Sequence, residues 1–296
     1  MRVLNIGSLN IDYVYTVDHF VRPGETLSSH RYQVFSGGKG FNQSIALTRA
    51  KAHVAHAGKV GKDGAWLKEL LEKNGVDASN VAIADGPTGH AIIQVSQSGE
   101  NAILLHGGAN QCLTETDVTH ALASCSAGDY LLVQNETSSV EAAIRQGAAR
   151  GLRVVFNPAP FTSAIRSYPL NLVDIFILNE IEAAGLTGKT DPEEIGTAMG
   201  KEFPKALTVL TLGRMGAMCF EAGARFQQQA EKVKAVDTTA AGDTFIGYFL
   251  SELMRTGEKN KALQLGCRAA AVCVTRPGAA DSIPQLTELD NIPPAR

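Results

Sequence analysis

The chain has 296 residues, 44% hydrophobic and 19% charged, with a formal net charge of -3. That length suits one large α/β domain or two modest ones, and 27 Lys and Arg against 30 Asp and Glu supply no basic face for nucleic acid. No apolar run reaches about 18 residues, so no membrane-spanning helix is expected.

Met1-Arg2 leads straight into Val3-Leu4-Asn5-Ile6-Gly7. This stretch is too short for a signal-peptide core and reads as a first strand. The five cysteines, Cys112, Cys125, Cys219, Cys267 and Cys273, form no CxxC pair. They are expected as buried free thiols in a reducing cytoplasm. Asn10 and Asp12 follow the first strand. Short Asn and Asp side chains suit hydrogen bonds to vicinal hydroxyls, and equally suit ordinary turns. Residues 13–35 are β-rich and broken by Pro23-Gly24. Gly37-Gly38-Lys39-Gly40-Phe41-Asn42 then reads as a glycine-rich turn into a helix over 42–51. It lacks the Lys-Ser/Thr step of a Walker A loop, so anion binding and a solvated Lys39 both stay open.

Residues 89–106 carry two short apolar strands around Ser98-Gly99 and read as an antiparallel hairpin. With 13–35 it forms either a small flap beside the main sheet or peripheral strands of that sheet. From Asp129 onward strands and helices alternate. Strands are expected at 130–133, 153–156, 174–178 and 207–212, and helices at 138–150, closed by Gly151, and at 192–203. This rhythm predicts a mostly parallel sheet with helices on both faces. Asn157, Asn179 and Gly213 fall at carboxyl ends of its strands, where open α/β sheets bind ligands.

Asn179-Glu180-Ile181-Glu182 places an amide and a carboxylate on one side of a first helical turn. Such a pair orients the waters of a hydrated Mg²⁺, or simply caps the helix. The strongest local pattern is Asp237-Thr238-Thr239-Ala240-Ala241-Gly242-Asp243-Thr244-Phe245. Small residues run into a helix with an apolar stripe of Phe245, Ile246, Phe249, Leu250 and Leu253, and Gly257 stops it. Free N–H groups at such a helix start attract phosphate, and Ala240, Ala241 and Gly242 let it approach. Asp243 in the first turn can accept a proton from an attacking hydroxyl. The plainer reading is an acidic residue that satisfies the helix dipole.

Taken together and in this order, these motifs resemble the ribokinase-like (phosphofructokinase-B) family of carbohydrate kinases. The resemblance spans essentially the whole chain. It includes Asn157-Pro158-Ala159-Pro160, Thr211-Leu212-Gly213-Arg214-Met215-Gly216 and Val274-Thr275-Arg276-Pro277-Gly278-Ala279. It implies a single domain over 1–296: a doubly wound core with a small β-sheet lid from segments at about 13–35 and 89–108. Lids in the family commonly pair into a homodimer. The resemblance implies sugar contacts from Asn10, Asp12, Gly38, Lys39, Asn42 and Glu136. It matches Asp243 to the catalytic base and Ala240, Ala241 and Gly242 to the anion hole. Asn179 and Glu182 match the residues that organise Mg²⁺ and phosphate; Thr211, Gly213 and Gly216 match those that hold ATP. Asp237, Thr239, Cys273, Arg276, Gly278 and Ser282 match a loop pair that binds K⁺ largely through carbonyls. Cys267 stands near the expected adenine site, where close relatives have His. Ile246, Asn135 and Phe41 also depart from those relatives.

The activity so implied is ATP-dependent phosphorylation of a primary hydroxyl of a free sugar, ribose or a similar pentose or hexose, in the cytoplasm. Two other readings stand beside it. One is a nucleoside kinase of the same fold, in which Phe41 either stacks on the base or only packs. The other is a sugar-binding regulator without turnover. A dinucleotide-dependent dehydrogenase fits poorly, because Gly7-Ser8-Leu9-Asn10 is not the glycine fingerprint. Residues 74–144 contain no Lys or Arg, against about six expected from composition. The stretch covers the hairpin and Glu136, which argues for an unphosphorylated substrate.

Overall fold

The computed structural model describes residues 1–291. In chain order the elements are β1 (Val3–Ile6), β2 (Asn10–Thr16), β3 (Arg31–Gly37), α1 (Lys39–Arg49), β4 (Val54–Val60), α2 (Ala65–Lys73) and β5 (Asp77–Ile83). Next come β6 (Gly89–Val95), β7 (Asn101–His106), α3 (Glu115–Leu122), β8 (Tyr130–Gln134), α4 (Val140–Ala149), β9 (Arg153–Asn157) and β10 (Ile175–Asn179). Then follow α5 (Glu180–Thr187), α6 (Pro192–Glu202), β11 (Leu207–Thr211), β12 (Ala217–Glu221), β13 (Ala224–Gln228), α7 (Ala241–Thr256) and α8 (Lys259–Cys273).

Nine strands form one sheet in the order β13-β12-β11-β10-β9-β8-β1-β4-β5. All neighbours from β11 to β5 are parallel, and β12 and β13 are antiparallel. The central strands are buried on both faces, so β1 and β8 are mostly apolar without alternation, and the polar residues they carry, Asn5 and Gln134, are buried as well. Alternate residues feed two cores. Val3 joins Phe41, Phe249 and Leu263 beneath α1, α7 and α8, while Leu4 and Ile6 join Val118, Ile144 and Ile195 beneath α3, α4 and α6. Strand order reverses between β1 and β8: β4 and β5 extend one way, β9 to β13 the other. Such a switch point opens a crevice at the carboxyl ends of the strands.

A second, four-stranded sheet stands apart, in the order β3-β2-β6-β7. Thus the two β-rich segments build a separate flap and are not edges of the main sheet. Its strand β2 begins at Asn10, so Asn10 and Asp12 do not sit in a turn after β1. They are the first residues of a lid strand. The expected helix over 42–51 also starts earlier, at Lys39, because Gly38 with φ 91° acts as its N-cap. Of the domain expected over 1–296, residues 292–296 lie outside the described residues. Among the described residues no helix is long and apolar enough to cross a membrane.

Candidate active site

The crevice is built from the start of α1. A Cβ on Gly40 would lie 2.4 Å from the Ser8 backbone nitrogen, so only glycine lets this helix begin against the end of β1. The contact is closed by Phe41 N donating to Ser8 O at 2.9 Å. Glu136, just beyond β8, is drawn into the same corner. Its Oε2 accepts from Ser8 Oγ at 2.5 Å and from Lys39 N at 3.0 Å. Asn10 Oδ1 accepts from Asn110 Nδ2 at 2.7 Å. Asp12 lies on the same lid strand. Burial, reinforced by the Glu136 carboxylate, lifts its carboxyl to about 7. Asn10, Asp12, Gly38, Lys39, Asn42 and Glu136 therefore converge on one polar corner beneath the lid.

Asp243 forms the opposite wall. It sits in the first turn of α7, whose N-cap Ala240 has φ 59°, a left-handed conformation unusual for a residue with a Cβ. Ala241 N of this first turn donates to Thr238 O at 3.3 Å, and Ala241 and Gly242 border the cleft that runs beyond Asp243. Open space lies over Gly242, with nothing within 4 Å of where a Cβ would be. The Asp243 carboxylate accepts from Asn42 Nδ2 at 3.0 Å and Gln43 Nε2 at 2.8 Å. Lys39 lies between the two walls. Burial alone would lower its ammonium pKa, but the Asp243, Glu136 and Glu182 carboxylates outweigh this and hold it above the ordinary range.

Beyond Asp243 a cleft of about 820 Å³ runs along the ends of β10 and β11. Asn179, Thr211, Gly213 and Gly216 line one side, and Phe245, Cys267, Ala270, Ala271 and Val274 the other. Gly216 has φ 100°, and a Cβ there would fall 2.0 Å from Gln228 O. The chain can pass β13 at this point only as glycine. Asn179 and Glu182 form a reciprocal cap at the start of α5. Asn179 Oδ1 accepts from Glu182 N at 2.9 Å, and Glu182 Oε2 accepts from Asn179 N at 2.9 Å. The capping reading of this pair is thus realised. Burial raises the Glu182 carboxyl above its usual range, against the opposing Asn179 N–H.

The loops before α7 and after α8 are bound to each other. Asp237 Oδ2 accepts from Gly278 N at 3.0 Å, Asp237 Oδ1 accepts from Thr239 N at 2.9 Å, and Val236 N donates to Val274 O at 2.7 Å. Cys273 Sγ lies 3.1 Å from Ser282 Oγ and 3.7 Å from Thr239 O. The Arg276 side chain instead turns to Glu288, at 2.7 Å.

Some functional positions escaped the sequence reading. Phe41 is fully buried in the core beneath α1, so of its two readings it packs and does not stack on a nucleoside base. Gln43, Gln134 and Asn110 support the site, yet they belong to none of the motifs that were read. Asn110 in particular lies in a short 3₁₀ turn with no local signature.

The chain matches the pfkB family carbohydrate kinase profile over residues 2–286. It is 38% identical over 292 residues to a ribokinase of Haemophilus influenzae, covering 96% of this chain and 95% of that one. Among solved structures, a ribokinase of Cryptococcus neoformans in complex with ADP superposes with a TM-score of 0.85 at 35% identity, covering 98% of each chain. A ribokinase of Arabidopsis thaliana complexed with ribose and ATP gives a TM-score of 0.85 at 27% identity, covering 97% of each chain.

Proposed function

This chain belongs to the pfkB family of carbohydrate kinases, and we propose that it moves the γ-phosphoryl group of ATP to the primary hydroxyl of a free pentose, ribose first among the candidates. The single observation that carries the reading is the position of Asp243. Its carboxylate stands at the N-terminus of α7, between the polar corner under the lid and the cleft along β10 and β11. A hydroxyl docked in that corner would meet the carboxylate on one side and the nucleotide's terminal phosphate on the other.

Each wall then has a task. Asn10, Asp12, Asn42 and Glu136 offer acceptors and donors to vicinal hydroxyls. Asp243 takes the proton of the attacking hydroxyl, while the N–H groups of Gly242 and its neighbours steady the transferring phosphoryl group. Lys39, held charged by its three carboxylates, faces the same developing charge. Phe245, Cys267 and the small residues of α8 form a flat apolar wall for the adenine ring.

Among the described residues no group of three or more His, Cys, Asp or Glu is placed to cage a metal. The donor set suits a Mg²⁺ that arrives on the phosphates, keeps much of its water, and meets Glu182 and Asn179 through it. When bound, the ion would neutralise charge on the phosphate oxygens. The paired loops around Asp237 and Gly278 offer backbone carbonyls suited to K⁺, which would brace the start of α7 without touching substrate. The test is steady-state ADP release with ribose and a panel of free sugars and nucleosides, first in K⁺ and then in Na⁺ at fixed ionic strength. Sugar-dependent ADP release, faster in K⁺, is expected. Release with nucleosides alone would replace the reading, and equal rates in both cations would remove the K⁺ site.

The lid also bears on assembly. Tyr32, Val34, Ile92 and Leu104 are exposed on the face of this small sheet opposite Asp12. A second copy of the chain is the proposed cover, and a solution mass of one chain, 31.4 kDa, at micromolar concentration would contradict it.

Asp12 gives the reaction a pH dependence of defined sign. Sugar hydroxyls donate to the ionised carboxylate, so binding draws on the deprotonated form. With the empty-site carboxyl at about 7, the sugar KM should fall roughly tenfold between pH 6 and pH 8. The Asp12→Asn variant should bind more weakly and lose that slope. A KM that rises with pH in the unmodified enzyme would show that Asp12 does not act as the acceptor.

A further inference from the structure

Beneath the active site lies a file of buried polar side chains whose direction can be deduced. Asn5, Gln43, Ser44 and His56 are each 0% exposed, and Gln134 is 1% exposed. Asn157 Nδ2 donates to Ile177 O at 2.9 Å, so its Oδ1 faces Gln43, 3.1 Å away. A carbonyl oxygen can only accept, so Gln43 must present its NH₂ group there. The same Nε2 reaches Asp243 Oδ1 at 2.8 Å. On the other side, Gln43 Oε1 accepts from Gln134 Nε2 at 2.7 Å, and that nitrogen also donates to Asn5 Oδ1 at 2.9 Å. Asn5 Nδ2 in turn donates to Gly40 O and to Ser44 Oγ, both at 2.8 Å.

The file ends at His56. Its Nε2 lies 3.2 Å from Gly7 O, which can only accept, so Nε2 carries the proton. Nδ1 then accepts from the Ser44 hydroxyl at 2.8 Å. Full burial pushes this imidazole down to about 4, so it stays neutral and does not disturb the order. Three backbone carbonyls, of Gly7, Gly40 and Ile177, thus set the orientation of every member. An apolar filling of the same shape would serve stability as well. What the amides add is a donor fixed in direction, aimed at one oxygen of Asp243.

We propose that Gln43 is a positioning residue for phosphoryl transfer: through this anchored file it holds the Asp243 carboxylate in one rotamer, aimed at the attacking hydroxyl. The inference rests on the reading of Asp243 as the base. Asn42 bonds the other oxygen but also belongs to the sugar corner. Gln43 has no route to the sugar except through Asp243. The other titratable groups around Asp243 are Lys39 on α1, Glu182 on α5, Cys273 on α8, Asp237 in the loop before α7, and Asp12 and Glu136 across the crevice. None is altered by changing Gln43.

The test uses Gln43→Met, which keeps length and volume but removes the donor. Loss of one hydrogen bond to a charged group should lower kcat about 10–10²-fold. The sugar KM should change less than about threefold, as expected for an interaction that matters in the transition state. In an Asp243→Asn background, Gln43→Met should change the residual rate less than about twofold, since the two act as a unit. If Gln43→Met does not fold, Gln134→Met carries the test. It leaves Gln43 Oε1 without its donor, which loosens the Gln43 amide against Asp243, and should lower kcat about three- to tenfold with the sugar KM kept. An inactive Asp243→Asn together with an unchanged kcat in the folded Gln variant overturns this inference alone. Near-normal turnover in Asp243→Asn overturns the base reading beneath it.

Discussion

Asp243→Asn is expected to fold, to bind ATP, and to lose turnover by about 10²–10⁴-fold, the usual contribution of a positioned base. The fold should survive because the α7 stripe of Phe245, Phe249 and Leu250 is untouched and remains buried. ATP binding should survive because the cleft is lined by residues of β11, α7, α8 and the loop that carries Lys232 and Lys234, and Asp243 is not among them. The substitution is not fully silent locally. Asn42 Nδ2 and Gln43 Nε2 both donate to the present carboxylate. An amide has one acceptor, so one of these donors would face an NH₂ group, at a cost of about 1–3 kcal/mol. Stability and nucleotide affinity measured beside kcat separate that effect from lost chemistry. Near wild-type turnover in a folded variant would show that another group removes the proton.

Much of the core was legible because its signals are local. The βαβ rhythm from Asp129 to Leu212 rests on apolar runs of strand length set between helical patterns, and β8 to β11 fall within a residue or two of their expected places. Residues 54–83 were not resolved into β4, α2 and β5. Their apolar runs are short, and β4 contains His56 and Lys59, whose burial depends on partners elsewhere in the chain. The start of α1 was misplaced for a related reason. Gly37, Gly38 and Gly40 look like a loop in isolation, and only the close pass of β1 beneath Gly40 explains a glycine inside the helix.

At the candidate site, the motifs pointed to the residues that would face ligand and passed over those behind them. Asn42 was singled out and its neighbour Gln43 was not. The bond from Gln43 to Asp243 joins positions 200 residues apart, and no local pattern announces it. Phe41 shows the converse. In sequence it stands beside the sugar turn, yet helical geometry points it into the core, where it is fully buried.

The central claim is transfer to a free sugar, and substrate charge tests it most directly. The lid face that carries Asp12 presents Ala91 beside it, with Val14 and Ile93 next along the strands and Leu105 and Ile103 across β7. His90 and His106 alternate onto the opposite face and stack with each other, 5.0 Å between ring centroids. Arg31 pairs with Thr16, four residues from Asp12 and so roughly 13 Å along the strand. Lys39 is already matched by the Asp243, Glu136 and Glu182 carboxylates, so a phosphate at the lid end of the sugar would meet apolar side chains and the Glu136 carboxylate, and burying a dianion there is costly. The measurement is kcat/KM with ATP for free pentoses and hexoses against their monophosphates. The account predicts that a free sugar is preferred at least about tenfold, consistent with the weight of an unpaired buried charge. Preference for any monophosphate by that factor would contradict it and would point to Arg31 or Arg22 as a phosphate clamp.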